Sequence, residues 1–230
     1  MKGSAEYARR LNTLLRKIRS AHASDPYEAD DPIGQLIYAF LHWNVPRRSA
    51  DAAMSRIRQQ TVDHNDLRVS HTHEIVLLLG ERYPAGHERA TRMREALHEI
   101  FNRQHTLSLH KLIGKPKKEV RHYLEQLPGM APFVAAHVSL VVFSGHAVPV
   151  DDRLCDLLRA EEVVNPDLSL AQVTGFLERN VRADDAAETH AALTAWVDAG
   201  ANRASLARTT KRAPRAGKST TKKRTSKSST

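Results

Sequence analysis

The sequence predicts an all-α fold, and three observations carry that prediction. Apolar residues recur with the 3.6-residue period of buried helix faces along most of the 230 residues. Hardly a convincing alternating strand interrupts them. Pro, Gly, Asp and Ser stand where such helices would begin and end. A chain of this length buries a real core, as two small lobes or one compact unit. No apolar run approaches a membrane span, and residues 1–20 read as a charged amphipathic stretch rather than a signal peptide. Cys155 is the single cysteine, which excludes an internal disulfide framework and fits a soluble, intracellular protein.

The elements follow in order. Asp31-Pro32 opens a helix with Ile33, Leu36, Ile37, Phe40 and Leu41 on one face, and Ser49 is placed to cap a second carrying Ala53, Met54 and Ile57. A short apolar block spans residues 75–79. A long helix beginning near Gly86 carries Ala90, Met93, Leu97, Ile100 and Phe101. Val120, Tyr123, Leu124 and Leu127 define the next, which Pro128-Gly129 breaks. Pro132 suits the first turn of the following helix, whose buried stripe is Val134, Val138, Val141 and Val142. Asp151 and Asp152 precede Leu154, Leu157 and Leu158. Ser169 or Asp167 opens a helix with Leu170, Val173 and Leu177; Asp184 or Asp185 opens the last, with Leu193, Trp196 and Val197, which Gly200 should end. No internal repeat is evident.

Charge is unevenly divided. The formal net charge is +9, and the stretch from Arg208 to Thr230 alone holds nine Lys or Arg and no acid, so residues 1–207 balance 26 bases with 26 acids. The tail is made largely of Ser, Thr, Lys and Arg with one Gly and one Pro and is poor in large apolar residues, so disorder is expected from about residue 205. Lys211, Arg212, Lys222, Lys223 and Arg224 would attract a polyanion by counterion release, without sequence preference. DNA tethering is the favoured reading of that tail; an RNA contact or a solubilising end are the others.

Residues 118–154 carry the chemistry. Two helices joined by Leu127, Pro128, Gly129, Met130 and Ala131 form a helix-hairpin-helix, whose backbone N–H groups suit a phosphate of a nucleic-acid backbone. Such a contact positions a duplex and reads no sequence. Two roles are open to the acids beyond it: either caps the helix that follows, or Asp152 caps while Asp151 faces a cleft.

Leu127-Pro128-Gly129, the small pair Ala135-Ala136 and Val150-Asp151 resemble the helix-hairpin-helix-GPD superfamily of base-excision repair DNA glycosylases, of which endonuclease III is a branch, with weaker similarity over residues 31–200. The resemblance implies a two-lobed fold: an N-terminal helix (1–31) packing with the second lobe, a six-helix lobe (32–146) containing the hairpin (118–143), a second lobe (147–204) and the tail (205–230). It implies that Asp151 faces the scissile N-glycosidic bond, where a fixed negative charge favours an oxocarbenium-like transition state. It also implies that the loop at residues 42–48 meets DNA. Asn44 is then the nearest match to the side chain that fills the gap left by an extruded base, Arg47 and Arg48 meet phosphates, and Trp43 is expected to be buried.

The departures from the family pattern are chemical. Phe133 stands where bifunctional members carry the Schiff-base lysine, so strand cleavage through an imine is not expected. Ala131 replaces a second hairpin glycine and Arg153 a histidine. With one cysteine there is no iron–sulfur cluster, and no other cofactor is expected. Phe133 itself is expected to pack in the core. Thirteen histidines include the pair His71 and His73, but the spacings indicate no closed zinc site, and solvent-facing histidines are expected. The expected protein is therefore an intracellular, nucleoid-associated monomer of the cytoplasm that binds double-stranded DNA and no membrane. Its leading reading is a monofunctional DNA N-glycosylase. A catalytically inactive DNA-binding relative and a basic-tailed RNA- or chromosome-associated protein are the alternatives.

Overall fold

The computed structural model describes residues 2–22, 27 and 31–212, and side chains within 5–22, 27 and 31–200. Among the described residues the chain is all-α, with eleven α-helices, two 3-10 turns and no strand.

Helix α1 (Lys2–Ala21) precedes the first lobe. In α2 (Pro32–His42), the Asp31 carboxylate accepts the Gly34 N–H at 2.9 Å and Pro32 occupies the first turn. Every residue of α2 except Gln35 is buried, so this helix forms the centre of the first core. Helix α3 (Arg47–Gln60) starts two residues before the expected cap at Ser49. Pro46, already at a helix-compatible φ of −57°, offers its carbonyl to the N–H groups of Ser49 and Ala50, which leaves Ser49 in the first turn. Helices α4 (His64–Val69) and α5 (Thr72–Leu79) follow, and the apolar block at 75–79 lies in α5. Helix α6 (Gly86–Gln104), a 3-10 turn at His110–Leu112, α7 (Lys117–Glu125) and α8 (Pro132–Val141) complete this part. The stretch 32–146 thus holds seven α-helices where six were expected, the six-residue α4 among them.

Beyond it lie α9 (Asp152–Ala160), α10 (Leu170–Asn180), a 3-10 turn at Ala183–Asp185, and α11 (Ala186–Arg212). Ser169 caps α10 in a reciprocal box with Gln172. Gly200 does not end α11. One glycine costs a helix about 1 kcal/mol, and the helix-forming Ala, Arg and Leu residues that follow it carry the helix through Arg212. Lys211 and Arg212 accordingly stand on helical backbone. Lys222, Lys223 and Arg224 lie outside the described residues.

Two apolar cores result. One gathers Leu36, Ile37, Phe40, Ile57, Met93, Leu97, Leu124 and Val134 among others. The other gathers Leu11, Leu15, Ile18, Val148, Leu158, Leu177, Leu193 and Val197, with α1 packed along α11. Helix α8 serves both: Phe133, Val134, Ala135 and Val138 belong to the first core, and Ala136 and Leu140 to the second. That double burial explains its nearly unbroken apolar sequence, because a helix covered on all sides has no polar face to spare.

Candidate functional site

The site is built where the end of α2 meets the start of α9. The carbonyls at the C-terminal end of α2 are tied down from outside: the buried Arg89 guanidinium donates to the Phe40 carbonyl and the Tyr83 hydroxyl to the Leu41 carbonyl at 2.7 Å. Helix α2 therefore stops at a defined place. The chain then passes Trp43 and turns at Asn44, whose φ of +56° is one that asparagine tolerates better than most residues. Trp43 is half-buried rather than enclosed, with the guanidinium groups of Arg89 and Arg92 5.7 and 5.6 Å from its ring.

Asp151 faces this turn from the other lobe. It is the N-cap of α9: one carboxylate oxygen accepts the Leu154 N–H at 2.8 Å, and the other accepts the Asn44 N–H at 3.1 Å. Of the roles left open to the two acids, the cap falls to Asp151 and not to Asp152. Asp152 instead pairs with the Asn44 side chain, which donates from Nδ2 at 2.8 Å and accepts the Asp152 N–H at 2.9 Å. Asp151 is 6% exposed, and burial pushes its carboxyl above the usual carboxylate range against the opposing pull of the two N–H groups and of the Arg153 charge.

Asp151 borders a cavity of about 20 Å³, lined also by His42, Phe133, Arg153, His190 and Thr194. Arg153 is bound to Asp198 at 2.5 Å, and the other oxygen of Asp198 accepts the Arg47 N–H at 2.8 Å. Arg47 and Arg153 are thereby drawn to one carboxylate across the two lobes. The Arg47 guanidinium lies 4.9 Å from the Tyr27 ring, while Arg48 is exposed at the start of α3.

The hairpin stands behind this site. Gly129 takes φ +73°, and a Cβ there would come within 2.6 Å of the Arg92 carbonyl oxygen, so helix α6 backs directly onto the turn. Arg92 in turn donates to the Gly129 carbonyl at 3.3 Å. Ala131 sits at φ −85°, an ordinary extended conformation, so its position has no need of the second glycine. Leu127 and Ala131 are buried, Pro128 is exposed, and Met130 is partly exposed. No side chain caps the N-terminus of α8, whose second residue, Phe133, reaches the cavity. Phe133 is 5% exposed and packs on His42 and His137.

Solvent-facing histidines were expected, and three of them are in the interior. His42, His137 and His190 are at most 3% exposed and cluster with Phe133, Tyr27 and Tyr38. His137 Nδ1 pairs with His190 Nε2 at 3.1 Å, and His137 Nε2 with Gln35 at 3.4 Å. Burial holds all three neutral, taking His42 down to about 4, His190 to about 3, and His137 well below its ordinary value. The sequence did carry a signal: His137 falls on the helical register of Val134, Val138 and Val141, the buried stripe itself. His71 and His73 stack on each other at the surface.

No protein-family model matches the sequence, and no curated protein matches it by sequence. Solved structures do resemble it in shape. A trapped endonuclease III–DNA covalent intermediate superposes with a TM-score of 0.64 at 16% identity, covering 81% of this chain and 84% of that one. The 3-methyladenine DNA glycosylase of H. pylori, bound to 1,N6-ethenoadenine, gives 0.64 at 12% identity, covering 84% and 97%. The Clostridium acetobutylicum 8-oxoguanine glycosylase/lyase in complex with double-stranded DNA gives 0.66 at 17%, covering 86% and 70%. This chain has the helix-hairpin-helix DNA glycosylase fold. Within that fold, Asp151, Asn44, Arg47 and Phe133 lie where the α2–α3 connection meets α8, α9 and α11, and His42, His190, Arg153 and Asp198 adjoin them. Among the described residues no cluster of His, Cys, Asp or Glu suits a metal ion, and no helix is long and apolar enough to cross a membrane.

Proposed function

We propose that this protein binds duplex DNA and acts as a monofunctional N-glycosylase, releasing a damaged or mispaired base and leaving the strand intact. Asp151 carries the reading. A carboxylate that is largely withdrawn from water, anchored at a helix N-terminus and set beside the first turn of the hairpin's second helix is suited to stabilise positive charge on a sugar as its base departs. In a low-dielectric site that charge acts with little screening. Phe133 offers no amine, so no imine forms with the sugar and no strand break follows from one. Leu127, Pro128, Gly129, Met130 and Ala131 hold a phosphate through their backbone, and Arg48 lies free to meet another. The lobes are read as 32–146 and 147–204, with residues 1–31 joined to the second. The protein works as a monomer on chromosomal DNA in the cytoplasm, nucleoid-associated, and needs no iron–sulfur cluster or other cofactor.

A second reading, a catalytically inactive duplex binder of the same fold, has its own observation. Both oxygens of Asp151 already accept backbone N–H groups, and the adjoining cavity of about 20 Å³ is far too small for a base until the seam opens.

The two readings separate in one assay. Duplexes carrying uracil, an oxidised pyrimidine, an alkylated purine or mismatched adenine are incubated with the protein and divided between alkali and no treatment. Breaks confined to the alkali-treated half are expected for one lesion class, and Asp151→Asn should lower that release by at least about 100-fold with binding retained. Asparagine also caps helices, so α9 persists in the variant. Absence of breaks on every lesion, with binding intact, would establish the inactive binder.

A further inference from the structure

Asp198 belongs to α11, but its carboxylate acts at the starts of two other helices. One oxygen accepts the Arg47 N–H, the first of α3, at 2.8 Å, and the other holds the Arg153 guanidinium, from the first turn of α9, at 2.5 Å. Pro46 has no side-chain acceptor for that first N–H, so Asp198 supplies the cap that α3 lacks in its own sequence. The second bond governs a charge. Arg153 lines the cavity that Asp151 borders, and its positive charge draws the Asp151 carboxyl downward. The Arg153 and Asp198 side chains are 20% and 19% exposed, so water screens neither charge fully. His42, on the same cavity, feels the two with opposite sign, so toward the cavity the pair partly cancels. Asp152 is already engaged with Asn44. A guanidinium released from Asp198 would therefore turn to Asp151 and offset its negative charge.

We propose that Asp198 is a positioning residue of the site, which holds the Arg153 guanidinium away from Asp151 and pins the start of α3, so that Asp151 keeps its negative charge for base release. The consequence for base release rests on the glycosylase reading above; the consequence for the charge of Asp151 does not. Among the described residues, the groups facing Asp151 are few. From α9 they are Arg153 and Asp152, with the Cys155 thiol kept neutral by burial. From α2 and α11 they are His42 and His190, whose burial takes them down to about 4 and about 3, and α8 contributes only Phe133. With asparagine at position 198 the amide carbonyl still accepts the Arg47 N–H, but no charge holds Arg153. Arg153 turned to Asp151 favours the ionised carboxylate, so Asp151 then titrates at lower pH. Release that needs the ionised form keeps going to lower pH, while its maximal rate falls because the carboxylate is neutralised by its new partner.

The test reads the Asp151 carboxyl directly. In the full-length protein labelled with carbon-13 at aspartate Cγ, the Asp151 resonance is identified by its loss in Asp151→Asn and followed against pH. Asp198→Asn is expected to lower its midpoint by about one pH unit, and adding Arg153→Met should bring it back to the wild-type value or above. An unmoved midpoint in Asp198→Asn overturns the positioning role. Single-turnover release on the responsive lesion should fall about tenfold in Asp198→Asn, with the acid limb displaced to lower pH, and recover most of its rate in the double variant at unchanged duplex affinity. A purely structural clamp would lose rate in both variants with no displaced limb, and that result also overturns the role. Urea midpoints are recorded throughout; should Asp198→Asn be too unstable to titrate, Asp198→Ser, a smaller acceptor without charge, gives the same reading. Failure of the wild-type protein on every lesion overturns the glycosylase reading, and the carboxyl titration alone then decides whether Asp198 governs the charge of Asp151.

Discussion

Asn44 and Asp152 bind each other twice: the Asn44 amide donates to the Asp152 carboxylate at 2.8 Å, and its carbonyl accepts the Asp152 N–H at 2.9 Å. With the Asn44 N–H on Asp151, three hydrogen bonds staple the loop after α2 to the start of α9. The residue expected to enter DNA is therefore engaged, in the free protein, in holding the two lobes together.

Asn44→Ala and Asn44→Gly should separate the two duties of this position. Both lose the bonds to Asp152, but alanine also strains at φ +56°, where glycine does not. Alanine is expected to be the less stable variant by about 1 kcal/mol, the reverse of the order in a helix, as read from urea denaturation.

Gly129→Ala should be among the most damaging single-methyl changes in the molecule. The new Cβ meets the Arg92 backbone at 2.6–2.8 Å, and φ is +73°. Overpacking and left-handed strain together are expected to cost about 2–4 kcal/mol, and duplex affinity should fall with the displaced hairpin. Denaturation and a binding titration check both.

Stability should fall as the solution is acidified below about pH 6.5. His42, His137 and His190 have folded values depressed beneath the ordinary histidine value, so over that window the unfolded chain binds protons that the folded one refuses. The loss continues down to about 4 for His42 and about 3 for His190. Each contributes a slope of up to about 1.4 kcal/mol per pH unit. Asp31, held low by His64, adds to the loss at the acid end, whereas Asp151, raised by burial, opposes it. Urea midpoints measured from about pH 7.5 to about pH 4.5 should decline steadily, and His190→Gln should make the decline shallower.

Removal of residues 208–230 deletes nine of the positive charges. Duplex affinity should weaken and the slope of log affinity against log salt should flatten; an unchanged slope would exclude the tail from DNA contact.

The helices were legible because each carries its own instructions. Asp31-Pro32 announces α2, Ser169 announces α10, and Leu127-Pro128-Gly129 announces the hairpin, all through local backbone chemistry. Ser49 and Gly200 misled for a local reason too. A proline three residues upstream of Ser49 took over the start of α3, and a single glycine was too weak to stop a helix followed by good helix formers. Residue types alone also showed that Phe133 has no amine to offer and that positive charge concentrates at the end of the chain.

The sequence by itself thus determined an all-α chain, the hairpin and the acid that follows it, since those depend on periodicity, caps and turns a few residues long. Tertiary structure alone decided that Asn44 meets Asp151 and Asp152 across 107 and 108 residues of chain, and that His137 meets His190 across 53. Those pairings arise from how α2, α8, α9 and α11 pack. Spacing along the chain specifies which face of each helix is buried, but not which distant face it is buried against.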